Sequence, residues 1–294
     1  MKAMTTIKMI LILLLTGSLF PAGCAAETVN AKQCQEVGEA NQPAIEPGQT
    51  EPVIKEVGAE AGKVQDPLDE ILEKLNATTS ELKSYQCRIE YLLSQPAFQT
   101  KTLRRGSLFY QRDQKRSSLR VNFYTLKQDE EKEQAYKEQY FFDGVWLTYV
   151  DYQMRQSKSK QMVEPNDPNG PADAFELVSR NFPIVGFSRI EDLKKQFEIS
   201  ERQLKPAESQ KYILLHLKVK PDSVYRQDYT EMDFWIDKKL YLPAKIVAVS
   251  TEDEVYEIRF IEPKPNRRLD PKTFDFEIPQ GFEREIIPAK TKQG

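Results

Sequence analysis

The chain has 294 residues, a formal net charge of −3, 39% hydrophobic and 30% charged residues, which is enough apolar content for one sizeable core in a single domain. This charge balance argues against a nucleic-acid partner, because binding phosphates needs a concentrated positive field. The locally basic stretch at residues 101–120 alternates charged with apolar residues. It is therefore interpreted as the solvated face of strands.

Residues 1–23 have the pattern of a bacterial export signal, with a basic start, a short apolar run and then small residues. The run is too short to cross a bilayer, so we expect a periplasmic protein of the cell envelope. The letters AGC ending at Cys24 resemble a lipobox, in which acylation of the cysteine would anchor the protein to a membrane. Such motifs prefer Leu where Pro21 stands. Ordinary cleavage near Ala26 is the alternative.

Residues 24–66 predict a disordered linker, because the segment is rich in Glu, Gln, Ala, Gly, Pro and Val and has no sustained hydrophobic period. The folded domain is predicted at residues 67–288, followed by a tail at 289–294. A disulfide between Cys34 and Cys87 is left open, since the compartment outside the cytosol can be oxidising. No Cys-x-x-Cys pair or Cys/His cluster occurs, so we predict neither a metal site nor a cofactor.

An amphipathic helix is predicted to open the domain, because apolar residues recur at helical spacing after Asp66. The period then changes from 3.6 to 2 and predicts successive antiparallel strands. A proline- and glycine-containing interruption includes a predicted helix at Ala172–Arg180 and a second short helix at residues 191–197. The predicted strands lie at residues 84–93, 106–112, 118–126, 138–150, 156–163, 211–219, 229–237, 242–250, 254–262 and 274–279.

About ten strands and few helices predict a mainly β fold, in which a large antiparallel sheet curls without closing into a barrel. Alternation places apolar residues on one shared face of each strand. These sets are Leu119, Val121 and Phe123; Met232, Phe234 and Ile236; Tyr256, Ile258 and Phe260; and Phe274, Phe276 and Ile278. The resulting concave face is either a packed core or a lipid-sized cavity, and periodicity alone does not separate the two.

The sequence offers little catalytic apparatus. The one histidine, His216, points away from the apolar face of its strand and has no accompanying nucleophile motif. Acidic runs fall at turns, where carboxylates are normally solvated, and no glycine-rich phosphate loop occurs. We therefore expect a protein that binds, carries or senses rather than an enzyme.

The hairpin at residues 234–249, with its charged turn and following Leu-Pro, resembles the closing part of the periplasmic lipoprotein carrier (LolA-like) superfamily. The Asp143-Gly144 turn followed by Trp146 looks like a strand pair of that family, and residues 172–182 look like its internal helix. Residues 106–112 resemble its early strand. The match runs from about Leu68 to Ile287 in the family's order.

The resemblance implies an unclosed half-barrel whose helices cover an apolar cavity for acyl chains. The expected cavity residues are Leu119, Val121, Phe123, Phe142, Trp146, Phe234, Ile258 and Phe260. Arg112 is the nearest match to a family arginine that sets the lid, although a surface arginine is the alternative interpretation. The function implied is noncatalytic binding of lipid or lipoprotein acyl chains, with a membrane-bound donor or acceptor protein as a further partner. The alternative is an envelope-stress sensor or scaffold with the same fold and a filled core.

Overall fold

The computed structural model describes residues 66–113, 116–162 and 190–289. The predictions of an export signal, a linker, acylation at Cys24 and a helix at Ala172–Arg180 fall outside these residues. The helices are α1 (Pro67–Ser80), α2 (Ile190–Gln196) and α3 (Pro206–Ser209). The strands are β1 (Ser84–Gln95), β2 (Thr100–Arg112), β3 (Ser117–Gln128), β4 (Gln134–Phe142), β5 (Trp146–Asp151), β6 (Gln156–Gln161), β7 (Phe197–Arg202), β8 (Tyr212–Val219), β9 (Tyr229–Asp237), β10 (Pro243–Ser250), β11 (Val255–Pro265) and β12 (Glu283–Ile287).

Helix α1 begins where the sequence predicts it. The Asp66 side chain accepts a hydrogen bond from the Leu68 backbone N–H at 3.0 Å, which satisfies one of the free donors of the first turn. Leu72 and Leu75 are each 1% exposed and belong to the main hydrophobic core. The side chain of Lys194 in α2 bonds to Asp69, so α1 and α2 are joined. None of the helices described is both long and apolar enough to span a membrane.

The strands form one twelve-stranded sheet in the order β12-β6-β5-β4-β3-β2-β1-β11-β10-β9-β8-β7. Neighbouring strands are antiparallel except β12, which pairs parallel to β6. Strands β12 and β7 are the two edges of the described sheet, so the sheet does not close into a barrel. The predicted fold class is confirmed, and β7 and β12 are strands that the periodicity did not reveal.

The C-terminal segment departs from the sequence prediction at residues 274–279, which form no strand. Asp270 caps a 3₁₀ turn at Pro271–Phe274 by accepting from the Lys272 N–H at 2.9 Å. Beyond the turn, Phe276 stacks on Phe141 of β4 with 4.7 Å between ring centroids. The prediction that Phe274, Phe276 and Ile278 line the concave face is therefore wrong, because the turn diverts the chain across the opposite face of the sheet.

The two faces of the sheet differ in character. One face, called the concave face here, carries Phe123, Phe234 and Phe260, and helix α1 packs into the same core as these residues. Cross-strand pairing connects this face through Phe234 with Ile246, Ile246 with Ile258, and Ile258 with Tyr91. The other face is called the convex face. The register thus places the apolar sets of β3, β9 and β11 on one side, as their alternation predicts.

Two tight hairpin turns fix this register. In the β4–β5 turn, the Asp143 carboxylate accepts from the N–H groups of Val145 and Trp146 at 2.9 and 2.7 Å, and Gly144 adopts a φ of 95°. In the β9–β10 turn, Asp237 accepts from two backbone N–H groups in the same way. Aspartate in such a turn replaces missing backbone partners, so both predicted hairpins form.

Candidate functional site

The predicted cavity residues fall into two groups by burial. Phe123, Phe142, Phe234 and Phe260 are buried on the concave face, with exposed fractions of 4%, 2%, 0% and 8%. Leu119, Val121 and Ile258 lie on the same face but are only partly buried and pack against the core from its margin. These three residues therefore keep apolar surface available on a face that is otherwise closely packed.

Trp146 is the member of the predicted set that the structure does not bring to this face. Leu147, the next residue along β5, pairs with Phe142 and is buried in the core. Because side chains alternate along a strand, Trp146 lies on the convex side. The prediction that Trp146 lies on this face is wrong by one position, and Leu147 lies there instead.

Arg112 connects the sheet to the helix over the concave face. Its Nη1 donates to the carbonyl oxygen of Ser80, the last residue of α1, at 2.8 Å. Its Nε donates to the hydroxyl of Tyr110 at 3.0 Å, and Tyr110 is fully buried. A cation that bonds the last carbonyls of a helix also interacts favourably with the helix dipole. Arg112 is thus a contact between strand β2 and helix α1.

A buried polar cluster occupies one end of the concave face. Arg104 and Glu138 form an ion pair of 3.0 Å in which each side chain is 3% exposed. The Tyr149 hydroxyl lies 3.1 Å from the second Glu138 carboxylate oxygen and 3.2 Å from Asp151. Tyr136 also donates to Asp151, at 3.3 Å. Buried charges of this kind persist only when they are paired and hydrogen-bonded.

Burial raises the pKa of the Glu138 carboxyl, and the Arg104 guanidinium acts in the opposite direction. Burial also raises the pKa of the Tyr149 hydroxyl. The charged form of each group is disfavoured because water no longer solvates it. The cluster therefore contains one permanent cation, Arg104, among acids whose protonation is sensitive to their environment.

Two donors in this cluster have no hydrogen-bond partner among the described residues. They are Nη1 of Arg104 and the hydroxyl of Tyr91. Tyr91 and Arg104 are direct cross-strand partners on β1 and β2, which places their Cβ atoms within about 5.5 Å. Buried donors without partners are rare in native proteins, so this pair marks an unusual point on the concave face.

Sequence reasoning missed this cluster. Arg104 lies in the basic stretch at residues 101–120 that was interpreted as a solvated face, and for Arg104 that interpretation is wrong. The available signal was the position of Arg104 along its strand. Arg104 is two residues before Gly106 and four before Leu108, which is buried in the core, so alternation places Arg104 on the same face as Leu108. A charged residue in phase with apolar residues of a strand is a candidate for burial.

His216 lies on the convex side, as predicted, and is held by charged neighbours. Its Nδ1 is 2.8 Å from Asp233, and its Nε2 is 2.8 Å from Arg202. Asp233 is its cross-strand partner. Within the described part of the chain, both ring nitrogens are therefore engaged by charged side chains.

Cys87 is buried on the concave face with a free thiol. Burial raises the pKa of this thiol to about 12, which keeps it as the unreactive protonated form. Cys34 lies outside the described residues, so the disulfide between Cys34 and Cys87 stays a prediction.

The comparisons with known proteins concern the fold. No protein-family model matches the chain, and no curated protein matches it. Among solved structures, the chain is similar to an uncharacterized conserved protein from Thermus thermophilus, with 12% identity, a TM-score of 0.42, and coverage of 75% of this chain and 99% of that one.

Two further solved structures are similar to the chain. The Pseudomonas aeruginosa MucA/MucB complex matches with 8% identity and a TM-score of 0.42, over 71% of this chain and 60% of that one. A LolA superfamily protein from Nitrosomonas europaea matches with 13% identity and a TM-score of 0.31, over 71% and 97%. The latter carries the name of the superfamily that the sequence motifs resemble.

Proposed function

We propose that the chain is a noncatalytic bacterial envelope protein that binds acyl chains of lipids or lipoproteins on the concave face of residues 67–288. In this proposal the export signal delivers it to the periplasm. An acylated Cys24 would anchor it to a membrane, and residues 24–66 would act as the tether. A membrane-bound protein would supply or accept the cargo, and no cofactor takes part.

One observation carries this proposal. Leu119, Val121 and Ile258 retain partly exposed apolar surface on the same face as the buried residues Phe123 and Phe260. An acyl chain that covered such surface would be stabilised by about 25 cal/mol for each Å² of apolar area removed from water. The site would therefore select for hydrocarbon rather than for a reactive group.

Helix α1 gives the site a means of release. It covers part of the concave face, and Arg112 fastens its last turn to β2 through a hydrogen bond to Ser80. A bond of this type contributes only about 1 kcal/mol net, so the end of the helix can move at low cost. A carrier needs such a gate because it must also give up its cargo.

The alternative function, a sensor or scaffold with a filled core, is favoured by a different region of the sheet. In β8 and β9, Leu215, Leu217, Phe234 and Ile236 are all 0% exposed. This half of the concave face is ordinary packed core. The acyl site is therefore proposed at β3 and β11, where partly exposed side chains occur. In the alternative function, the close packing seen at β8 and β9 would continue across the whole face.

The test is lipid extraction and native mass spectrometry of the full chain purified from the cell envelope. Val121→Lys places a charge at the proposed site. Val247→Lys is the matched control, because Val247 is also partly buried in mid-strand but pairs with Asp233 and Glu257 on the convex face. Thermal unfolding of both variants shows whether each is folded.

We expect co-purified acyl lipid with the wild-type chain and with Val247→Lys, and its loss with Val121→Lys. An empty wild-type chain that also fails to take up a fluorescent fatty acid would overturn the carrier function and favour the sensor or scaffold. Equal lipid content in the two lysine variants would place any lipid elsewhere on the molecule.

A further inference from the structure

The polar cluster at the end of the concave face has a composition that restricts what it can bind. Arg104 uses Nε for Glu138, which leaves its Nη1 as a buried donor without a partner among the described residues. The Tyr91 hydroxyl likewise has no partner among the described residues, and Tyr91 is 4% exposed. Each missing partner costs about 1–3 kcal/mol. A ligand atom that accepted from both donors would recover part of this cost.

The residues that carry the two donors are neighbours on adjacent strands and face the same side of the sheet. Tyr91 and Arg104 pair directly across β1 and β2. Burial raises the pKa of the Tyr91 hydroxyl, and the nearby Arg104 guanidinium acts in the opposite direction. The Tyr91 ring is 6.4 Å from the ring of Phe123. The unpaired donors therefore stand at the border between the polar cluster and the apolar surface proposed for acyl chains.

The charge of the cluster disfavours a strongly anionic ligand group. The Arg104 guanidinium already forms an ion pair with Glu138 at 3.0 Å. The Tyr149 hydroxyl bonds to that carboxylate and to Asp151. A carboxylate or phosphate would bring a further negative charge to one cation in a buried setting, where like charges repel strongly. A neutral carbonyl oxygen avoids this repulsion, and its two lone pairs could accept from both donors.

We infer that Nη1 of Arg104 and the hydroxyl of Tyr91 bind the carbonyl oxygen of an acyl ester or acyl amide whose hydrocarbon chain lies along the concave face. This inference rests on the proposed function and specifies its ligand: an acyl chain attached through a neutral carbonyl, as opposed to a free fatty acid. Lipid esters and acylated protein amines share this chemistry. The carbonyl would fix the position of the chain, and the apolar residues would supply most of the affinity.

The test compares three probes of equal chain length, delivered from cyclodextrin: methyl palmitate, palmitate and hexadecane. The protein is the full chain carrying Cys24→Ala, so that it can be handled without detergent. Tyr91→Phe removes one donor and leaves the ring, and it should not unfold the protein because the hydroxyl has no partner to lose among the described residues. Tyr152→Phe is the control, since Tyr152 contacts Phe282 and Gln139 on the convex side.

We expect the ester to bind roughly tenfold more tightly than the hydrocarbon, as two modest hydrogen bonds would give, and more tightly than the carboxylate. Tyr91→Phe should lower ester affinity by roughly fivefold and leave hexadecane binding unchanged, whereas Tyr152→Phe should change neither. The infrared carbonyl band of a ¹³C-labelled ester should shift to lower frequency on binding and shift back in part with Tyr91→Phe.

Three results would overturn the inference, and they have different meanings. Equal binding of ester and hydrocarbon would show that the two donors do not bind the ester carbonyl. Tighter binding of palmitate would show an anion site. Binding of no probe at all would overturn the proposed function together with the inference, whereas the first two results leave acyl binding intact.

Discussion

Arg112 and Ser80 are joined by a hydrogen bond of 2.8 Å from the guanidinium to the last carbonyl of α1. This bond connects the end of β2 to the helix that lies over the concave face. Ser80 and Arg112 are far apart in sequence, so the contact couples two elements that the chain does not hold together locally. It makes Arg112 the first residue to change in a study of how the site opens.

We predict that Arg112→Ala loosens the last turn of α1 without unfolding the sheet. The expected cost is about 2 kcal/mol, because the variant loses the hydrogen bond to Ser80 and the one to Tyr110, at about 1 kcal/mol each. Hydrogen exchange resolved by residue should show faster exchange near Ser80 and unchanged protection in β8 and β9. Arg88→Ala is the control, because the Arg88 side chain is 63% exposed and forms its ion pair with the equally exposed Glu262. Equal effects of the two variants would make Arg112 an ordinary surface arginine.

The buried ion pair should respond unequally to loss of its two members. Glu138→Leu leaves the Arg104 guanidinium buried without its acceptor, and arginine cannot become neutral in a protein. We expect a loss of about 3–5 kcal/mol in the free energy of unfolding by urea. Arg104→Met should cost less, because Glu138 can take up a proton.

The double variant Arg104→Met/Glu138→Leu should recover much of the stability lost in Glu138→Leu, since it replaces both charges with apolar groups. A cost for Arg104→Met equal to or greater than that for Glu138→Leu would contradict this explanation. The exposed pair Arg88–Glu262 should contribute less than about 1 kcal/mol and serves as the reference.

The stability of the chain should also depend on pH through Glu138. Burial raises the pKa of Glu138 above its ordinary value of 4.5, so the folded state binds this proton more tightly than the unfolded state. The stabilising contribution is fully present below pH 4.5 and is lost as pH rises through the folded pKa. Glu138→Gln should remove this slope, as measured by urea unfolding at a series of pH values. Parallel curves for the two proteins would show that Glu138 has no shifted pKa.

Gly106 should tolerate no side chain. A Cβ at this position would lie 1.9 Å from the carbonyl oxygen of Asn122, and the register between β2 and β3 shifts beside it. We expect Gly106→Ala to lower the free energy of unfolding by about 3 kcal/mol or more, because the obstacle is backbone.

Gly281→Ala is the control that separates the cost of a steric clash from the cost of placing alanine at a positive φ. Gly281 has a φ of 78°, but a Cβ added there would meet nothing within 4 Å, so its substitution should cost about 1–2 kcal/mol. If both alanine variants showed the same loss of stability, the close approach of Gly106 to Asn122 would not be the cause.

Much of the fold could be predicted because hydrophobic alternation and turn residues act locally. The helix after Asp66, the turn at Asp143 and the hairpin around Asp237 all formed where the sequence placed them. Residues 274–279 alternate like a strand but follow Asp270 and Pro271, which form a capped turn. There the local turn chemistry outweighed the periodicity.

The candidate site was harder to predict because burial of a charge depends on partners elsewhere in the chain. Arg104 is buried because Glu138 lies two strands away on the same face, and no local pattern shows that pairing. Trp146 was misplaced because the turn before it sets the phase of β5, and an error of one residue moves a side chain to the other face.

The position of β1 between β2 and β11 has a consequence for how the chain reaches its native state. The β1–β6 and β7–β11 meanders each form from near neighbours. In the described sheet they are joined where β1 pairs with β11, as Tyr85 does with Pro265, so the junction is made by strands near the two ends of the domain. Long-range closure of this kind is slow. A chain that folded from its N-terminus would hold β1 with one unpaired edge until β11 arrived, and an unpaired edge is the part of a sheet most prone to aggregation.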